Sequence, residues 1–168
     1  MSARKAQEVA TDTSVLINFA VVDRLALLGG LTGLRFVAPD AVIGEIKRPD
    51  PRKRIETAVD AGHLGTVVVD DVPTLARFAR LRREMGPGEA ACLALALQRH
   101  WWLACDDRHA VRRAARELLG EGRLLNTAGL FLLAIREGLW SVRDADRAKE
   151  TLANNRFHMK FRSFEDLV

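Results

Sequence analysis

The chain is predicted to fold as an α/β protein whose mostly parallel sheet is covered by helices on both faces. Short apolar runs alternate along the sequence with segments of helical periodicity. The apolar runs are continuous rather than alternating with polar residues, which is typical of strands that are buried on both faces. In such sheets ligands bind beyond the carboxyl ends of the strands, so residues at strand ends are the first candidates for a functional site.

The strands and helices follow one another without an internal repeat or a linker. The predicted strands are 8–12, 35–39, 66–71, 102–106 and 124–126. The predicted helices are 14–28, 40–46, 51–62, 73–84, 88–99, 107–120 and 127–138, and a further helix and a mixed tail follow. Helix 88–99 is apolar on nearly every side, which predicts that it packs beneath other layers. One domain is therefore predicted over residues 1–168.

Composition favours a globular cytoplasmic protein. The 168 residues are 48% hydrophobic and 29% charged, which is ordinary for a globular domain with one core. The first ten residues lack the apolar segment of a secretory signal. No run of about eighteen apolar residues is present, so we expect no membrane span. Cys92 and Cys105 lie in apolar stretches, which predicts buried thiols in a reducing compartment.

The net charge is +4 and the pI is about 9.6. Much of the excess lies in two arginine-rich segments, 77–83 and 99–123. Arginine pairs with phosphate in a fork geometry, so a polyanionic partner fits this charge. A solvated helix face with intervening glutamates explains it equally well.

Acidic residues end predicted strands or lie on predicted helices at four points. They are Asp12, Glu45, Glu89, and the pair Asp106 and Asp107. Because the carboxyl ends of parallel strands meet at one edge of the sheet, we expect these carboxylates to converge. Mg²⁺ and Mn²⁺ prefer oxygen ligands and are commonly held by a few carboxylates plus substrate phosphates. The acids therefore predict a divalent-cation site and metal-assisted phosphodiester chemistry.

Each acid also has an ordinary structural explanation. Asp12 stands where a helix cap is common, and Glu89 stands in a first helical turn, where the helix dipole favours a carboxylate by about 0.3–1 kcal/mol. Glu45 borders the buried stripe of a short helix, so its alternative to a place in the metal site is an ordinary position at the surface. Asp106 and Asp107 repel each other unless one points away or a cation intervenes. The four acids in this order favour the metal site.

The order of motifs resembles that of PIN-domain ribonucleases. The motifs are DTS at 12–14, PDAVIGEI at 39–46, GEAACLALA at 88–96 and DDR at 106–108, followed by NTAGL at 126–130. Within that family the chain looks like the branch close to VapC-type toxins, whose third motif reads GE and whose fourth reads DDR. The resemblance runs from about residue 8 to 138, and the helix and tail of 139–168 are less constrained by it.

The resemblance implies a three-layer α/β/α sandwich and a metal-dependent endoribonuclease that prefers single-stranded RNA. By matching motif, the catalytic acids are Asp12, Glu45, Glu89 and Asp107, and the ligands of Mg²⁺ or Mn²⁺ are Asp12, Glu89, Asp107 and Asp106. Thr13 or Ser14 would support the first acid, and Thr127 would line the pocket. Aligning the strand end on a T-x-D pattern places Cys105 at the threonine position, selects Asp107 as the fourth acid and leaves Asp106 as the alternative.

Toxins of this type usually dimerise and pair with a small antitoxin. Helices 14–28 and 73–84 carry apolar residues beyond the needs of a lone domain, which predicts a homodimer with room for an antitoxin segment. These residues are Val21, Val22, Leu25, Leu28, Leu75 and Phe78. The candidates for RNA contact are Arg108, Arg112 and Arg113. Trp101 and Trp102 offer stacking surfaces for bases, with a place in the core as the alternative.

Two other classes of function compete with a nuclease. A PIN-fold module that binds RNA or a partner without cutting is the main alternative, and the presence of all the acids argues against it. A phosphotransfer receiver domain also places Asp at strand ends. Receivers, however, need an acid pair after the first strand and a lysine at a later strand end. Here the acid pair comes late and Lys160 lies in the tail.

Overall fold

The computed structural model of the chain describes residues 5–106 and 109–168. Its strands are β1 (Gln7–Thr11), β2 (Leu34–Pro39), β3 (Gly65–Val67), β4 (Trp102–Ala104) and β5 (Leu124–Leu125). Its helices are α1 (Thr13–Val21), α2 (Ala26–Gly30), α3 (Asp40–Glu45), α4 (Pro49–Asp60), α5 (Val72–Leu81), α6 (Pro87–Arg99), α7 (His109–Leu119), α8 (Thr127–Arg136) and α9 (Val142–Asn154). Short 3₁₀ turns occur at Glu121–Arg123 and Phe164–Asp166.

Within this part of the chain, five parallel strands form one sheet in the order β3-β2-β1-β4-β5. The first strand lies at the centre, with Val9 opposite Phe36 on one side and Thr11 opposite Ala104 on the other. From β1 the chain first adds β2 and β3 on one side of the sheet, and it later adds β4 and β5 on the other side. The carboxyl ends of β1 and β4 therefore flank a topological switch point, where α/β sheets usually bind ligands.

The two helical layers complete an α/β/α sandwich, so the predicted fold is confirmed. Helix α6 contacts β1, β2 and β4, and it also contacts α3, α5 and α7. Its residues from Ala90 to Ala96 are all buried, as its apolar character on every side predicts. Helix α1 contacts α4, α8 and α9, which belong with it to the second helical layer.

The C-terminal segment packs into the same core. The ring of Phe131 on α8 meets Phe19 at 5.2 Å, Trp140 at 4.8 Å and Phe164 at 5.9 Å between centroids. Such edge-to-face and tilted pairs add to the free energy gained from burial alone. Ser163 donates a 2.6 Å hydrogen bond to Asp146 of α9, which holds the final turn in place.

The prediction of one helix over residues 14–28 is wrong. Helix α1 ends at Val21, and α2 begins at Ala26. Between them, Asp23 adopts a left-handed backbone with φ of 56°, which aspartate tolerates better than most residues. The amide of Arg24 then donates to the carbonyl of Phe19 at 2.9 Å and closes the first helix.

The break changes the surface that was expected to be apolar. Leu25 is 6% exposed and Leu28 is 1% exposed, so both belong to the core and the prediction of an exposed patch there is wrong. Leu75 on α5 is 41% exposed, whereas Phe78 is half-buried against the core.

The structure also bears on the expectations for the two cysteines and for a membrane span. Cys92 and Cys105 are both buried in the core, and burial raises the pKa of the Cys92 thiol well above its usual range. In the ranges 5–106 and 109–168, no helix is long and apolar enough to cross a lipid bilayer.

Candidate active site

A cleft of about 460 Å³ opens at the carboxyl ends of β1 and β4. Its walls bring together residues from five separate parts of the sequence. They are Asp12, Thr13, Ser14, Ile17, Glu45, Gly86, Glu89, Asp106 and Phe157. The end of β1, the helix α3, the start of α6 and the segment after β4 each deliver one carboxyl group. The convergence predicted for the acids at this edge is therefore observed for Asp12, Glu45, Glu89 and Asp106.

Asp12 is the most buried of these carboxyl groups, with 5% of its surface exposed. Its amide donates to the carbonyl of Ala104 at 2.9 Å, which fixes it beside β4. It takes the N-cap position of α1, but its side chain makes no capping hydrogen bond with the described residues. Ser14 donates to Oδ2 at 3.0 Å, whereas the buried Oδ1 has no hydrogen-bond partner among the described residues.

Burial raises the pKa of Asp12 from 3.8 to about 6. The nearby Thr13 amide and the Ser14 hydroxyl lower this pKa in part, and the negative charges of Glu89 and Glu45 raise it further. A buried carboxylate is costly unless a donor or a cation compensates its charge. Oδ1 therefore offers an oxygen ligand that accepts no hydrogen bond from the described residues.

Glu45 is held at both oxygens by neighbouring elements. The Thr13 hydroxyl donates to Oε2 at 2.6 Å, and the backbone amide of Gly88 donates to Oε1 at 2.7 Å. A Cβ atom on Gly88 would lie 2.5 Å from Oε2 and 2.9 Å from Cδ of this carboxyl group. The Glu45 carboxylate thus occupies the space that any side chain at position 88 would need.

Glu89 stands in the first turn of α6 and turns back over the helix start. Its Oε2 accepts a 3.1 Å hydrogen bond from the amide of Gly86. This contact is the carboxylate half of a capping box, and the positive end of the helix dipole favours the charge there. The capping explanation for Glu89 holds, and the same side chain also lines the cleft.

Asp106 is fixed by α1 and α8. Its Oδ1 accepts from the Thr127 amide at 2.8 Å, and its Oδ2 accepts from Asn18 at 2.9 Å and from the Thr127 hydroxyl. Its own amide donates to the hydroxyl of Ser14 at 3.2 Å, so Ser14 joins Asp106 to Asp12. Burial raises the pKa of Asp106, and the donors of Thr127 and Asn18 and the charge of Arg112 oppose that rise.

Several site predictions differ from what the structure describes. Asp107 and Arg108 lie outside the described residues, so the prediction of Asp107 as the fourth acid stays a prediction. Thr127 does not line the pocket, because it is fully buried behind Asp106. Of the two hydroxyls predicted to support Asp12, Ser14 does so, and Thr13 binds Glu45 instead.

Asn18, Gly88 and Phe157 are not among the site residues that the sequence predicts. Asn18 was visible as a polar residue between apolar neighbours, one helical turn after Ser14. Gly88 appears in the sequence only as the first residue of the motif GEAACLALA, which contains Glu89. Phe157 carried no sequence signal, because its place in the cleft depends on how the C-terminal segment folds back.

The basic and aromatic candidates lie at different distances from the cleft. Arg112 is near enough to Asp106 for its charge to lower the pKa of that carboxyl group, and Arg113 is exposed. Trp101 and Trp102 do not line the cleft; both are half-buried against the core. The prediction of a core role for the two tryptophans therefore fits their position better than a stacking role.

Among residues 5–106 and 109–168, no three His, Cys, Asp or Glu side chains form a ready metal-binding group. The donor chemistry nevertheless fits a hard divalent cation. Mg²⁺ usually keeps several waters and takes only one or two carboxylates from the protein. Asp12 supplies a buried oxygen without a described donor, and Glu89 and Asp106 line the same cleft. An aquated ion does not require three preassembled protein ligands, so this donor set is sufficient for it.

We predict that Asp12→Asn leaves the metal-free protein as stable as wild type, or more stable, at pH 7.5. The raised pKa means that the folded state holds the Asp12 proton more tightly than the unfolded state. Stability is therefore lost as pH rises from about 4 to about 6. A shift of about two pKa units corresponds to a cost of at most about 3 kcal/mol above that window. Thermal melts at pH 7.5 and pH 3.5 measure this, and the gain should vanish at pH 3.5.

Asp71→Asn is a matched control, for which the opposite effect on the melting temperature is expected. Hydrogen bonds from Thr74 and from Arg99 lower the pKa of Asp71 from 3.8 to about 2. Its ionised form stabilises the fold above pH 4, so the amide should lower the melting temperature at pH 7.5.

Saturating Mn²⁺ should raise the wild-type midpoint by about 5–10 °C at a hundred times the dissociation constant, and Asp12→Asn should blunt that rise. A wild type that does not respond to Mn²⁺ would contradict the cation site.

Comparison with known proteins places the chain. No protein of curated function matches it. A family model described as PIN domain matches residues 8–167, which includes the sheet except for the first residue of β1, every residue that lines the cleft and the C-terminal segment up to residue 167. The match covers far more than half of the sequence and includes all the acids of the cleft. The chain therefore belongs to the PIN-domain family, whose members are generally nucleases.

Proposed function

We propose that the protein is a metal-dependent endoribonuclease that hydrolyses phosphodiester bonds of single-stranded RNA. The observation that carries the proposal is the convergence of four carboxyl groups from four elements on one cleft at the switch point of the sheet. One of them, Asp12, keeps a buried oxygen without a described hydrogen-bond donor. A nuclease family and an acidic cleft support the same chemistry.

Asp12, Glu89 and Asp106 would hold Mg²⁺ or Mn²⁺. When bound, the ion would polarise the phosphate and lower the pKa of a bound water. The hydrogen bonds from Thr127 and Asn18 support Asp106 as a ligand. Asp107 remains the alternative that the motif register predicts, and the two substitutions compared below distinguish them.

The remaining polar residues of the cleft position groups and take up protons. Glu45, which Thr13 and Gly88 hold in place, would accept a proton from the attacking water. Ser14 ties the backbone after β4 to Asp12 and keeps the two strand ends in register. Arg112, close to Asp106, would bind the phosphate backbone of the substrate, with Arg108 and Arg113 as further candidates.

We further propose that the protein is the toxin of a toxin–antitoxin pair, as its resemblance to VapC-type toxins implies. It would act as a homodimer, and an antitoxin segment would reach the acidic cleft. An exposed apolar cluster near the edge strand β3 supports an interface. Val72 is 77% exposed, Val68 is 59% exposed and Leu75 is 41% exposed.

The purified protein should cleave single-stranded RNA with Mg²⁺ or Mn²⁺ and stop cutting with EDTA. Asp12→Asn should lower the rate by at least about 100-fold, because it removes a charged ligand. Asp106→Asn should be similarly damaging, and Asp107→Asn much less so. Gel assays of RNA cleavage by the folded variants measure these rates.

The reverse ranking of the two variants would show that Asp107 is the fourth acid, as the T-x-D register predicts. A wild type that binds RNA without cutting it, with or without metal, would replace the nuclease by a binding module of the same fold. Full activity of Asp12→Asn would contradict the site itself.

Gly88→Ala should lower the cleavage rate by about 10- to 100-fold while the protein stays folded. The added methyl group meets the end of the Glu45 side chain, which is able to move away from its place. A displacement of about 1 Å at a catalytic group is enough for such a loss. In a Glu45→Ala background the same substitution should cost nothing further, because Gly88 acts through Glu45.

Gly44→Ala is the matched control for this cycle. Gly44 precedes Glu45 on α3, and a Cβ atom there meets nothing within 4 Å. It should leave the rate unchanged. If the losses of Gly88→Ala and Glu45→Ala multiply in the double variant, Gly88 does not act by positioning Glu45.

Light scattering should give the mass of a dimer at micromolar concentrations. Val72→Asp should shift the protein towards the monomer, because it places a charge in the apolar cluster near β3. Asp60→Asn changes an exposed residue of α4 that does not belong to this cluster; it is the control and should leave the mass unchanged. A monomer at every concentration of the wild type would contradict the dimer.

A further inference from the structure

The cleft has one apolar wall beside its carboxyl groups. Ile17 of α1 and Phe157 of the C-terminal segment form it, and both are half-buried. Phe157 is the one aromatic side chain among the described residues that line the cleft. A phosphate and its cation suit the carboxylates, but a flat apolar ring suits neither of them. The cleft therefore has a second surface of different chemistry.

The backbone after α9 places Phe157 at the cleft. Arg156 adopts a left-handed conformation with φ of 67°, a position that glycine usually takes at the end of a helix. The amide of Phe157 then donates to the carbonyl of Leu152 at 2.9 Å, and Arg156 donates to Ala153 at 3.1 Å. These bonds turn the chain sharply back at the end of α9, and Phe157 meets the cleft directly after the turn.

We propose that Phe157 is a nucleobase subsite, on which a base next to the scissile phosphate stacks. This inference rests on the proposed RNA cleavage and adds a substrate contact to it. Every base has a flat π-face, so aromatic stacking binds single-stranded RNA with little dependence on sequence. Ile17 supplies an apolar neighbour that excludes water from the edge of the stacked pair.

The alternative is that Phe157 serves only to pack against the core, with which it is in contact. Leucine at position 157 preserves an apolar side chain of similar burial but removes the π-face. Tyrosine preserves the ring. Comparing the two variants therefore separates stacking from packing.

Phe157→Leu should raise KM for a short single-stranded RNA by about tenfold and leave kcat nearly unchanged. Phe157→Tyr should keep the wild-type KM. The melting-temperature rise with Mn²⁺ should be the same in all three proteins, because the side chain at position 157 supplies no oxygen ligand to the cation in wild type or in Phe157→Leu, and the ring in Phe157→Tyr keeps the place of the phenylalanine ring. Phe161→Leu is the matched control. Phe161 lies in the same segment, is also half-buried, and packs against Phe164 at 4.8 Å instead of lining the cleft.

The substrate offers the complementary change. A series of RNAs, each with one abasic nucleotide at a different position around the cut, should contain one RNA for which the KM of the wild type rises about tenfold. For that RNA, Phe157→Leu should raise KM no further, because the base that stacks on Phe157 is already absent. Losses that multiply would overturn the subsite. An unchanged KM in Phe157→Leu, or an equal rise in Phe161→Leu, would overturn it as well.

Binding of fluorescent RNA, measured by anisotropy, separates this inference from the proposed cleavage. If the wild type binds RNA but does not cut it, and Phe157→Leu binds about tenfold more weakly, the subsite stands and the nuclease proposal fails. If the wild type neither binds nor cuts single-stranded RNA, both fail. If the wild type cuts RNA and Phe157→Leu cuts it with the same KM, the subsite alone fails.

Discussion

The burial of Asp12 at the end of the central strand is the constraint around which the site is built. Its amide belongs to the β1–β4 junction through Ala104, so its side chain cannot move to solvent without disturbing the sheet. Nearby Glu45 and Glu89 add negative charge to a group that burial already disfavours in its ionised form. Hydrogen-bond donors are unevenly distributed among these acids. Asp106 accepts from Thr127 and Asn18 at its two oxygens, whereas the buried Oδ1 of Asp12 has no hydrogen-bond partner among the described residues. Among the described residues of the cleft, the buried carboxylate oxygen without a donor therefore lies at Asp12, where a cation would offset the charge.

Helix α6 connects this charge to the hydrophobic core. The helix is buried along its middle, which fixes its N-terminus beside α3 and β1. That terminus presents the amides of Gly86 and Gly88 to Glu89 and Glu45. The partial positive charge of a helix start favours carboxylates there. Because Gly88 has no side chain, the Glu45 carboxylate can approach the helix backbone directly. Core packing and the geometry of the site thus depend on the same helix.

Much of this arrangement could be predicted from the sequence, because it depends on local pattern and topology. Continuous apolar runs identify parallel strands, and parallel strands bring their ends to one edge, where Asp12 and Asp106 are found. The partners of each acid could not be predicted in the same way. Thr13 and Ser14 are adjacent hydroxyls, and only the helix geometry sends one to Glu45 and the other to Asp12.

The choice between Asp106 and Asp107 could not be made from the sequence for a related reason. The alternation of side chains holds only within a strand, and β4 ends at Ala104, before either aspartate. Past that point, hydrogen bonds from Thr127 and Asn18 decide which way Asp106 faces. Both donors lie on helices distant in sequence, so no local pattern specifies them. The break after Val21 is similar, because it depends on a left-handed backbone at Asp23 rather than on hydrophobic periodicity.

The acidic wall and the apolar wall of the cleft come from different parts of the chain. The carboxyl groups come from β1, α3, α6 and the segment after β4, whereas Phe157 comes from the segment after α9. Phe164 anchors that segment in the core through Phe131, so the turn at Arg156 is held from both sides. Substitution of Phe157 would therefore alter the apolar wall without removing a carboxylate from the cleft. In a nuclease of this design, binding of the metal and selection of the substrate would be separable, because they depend on different parts of the chain.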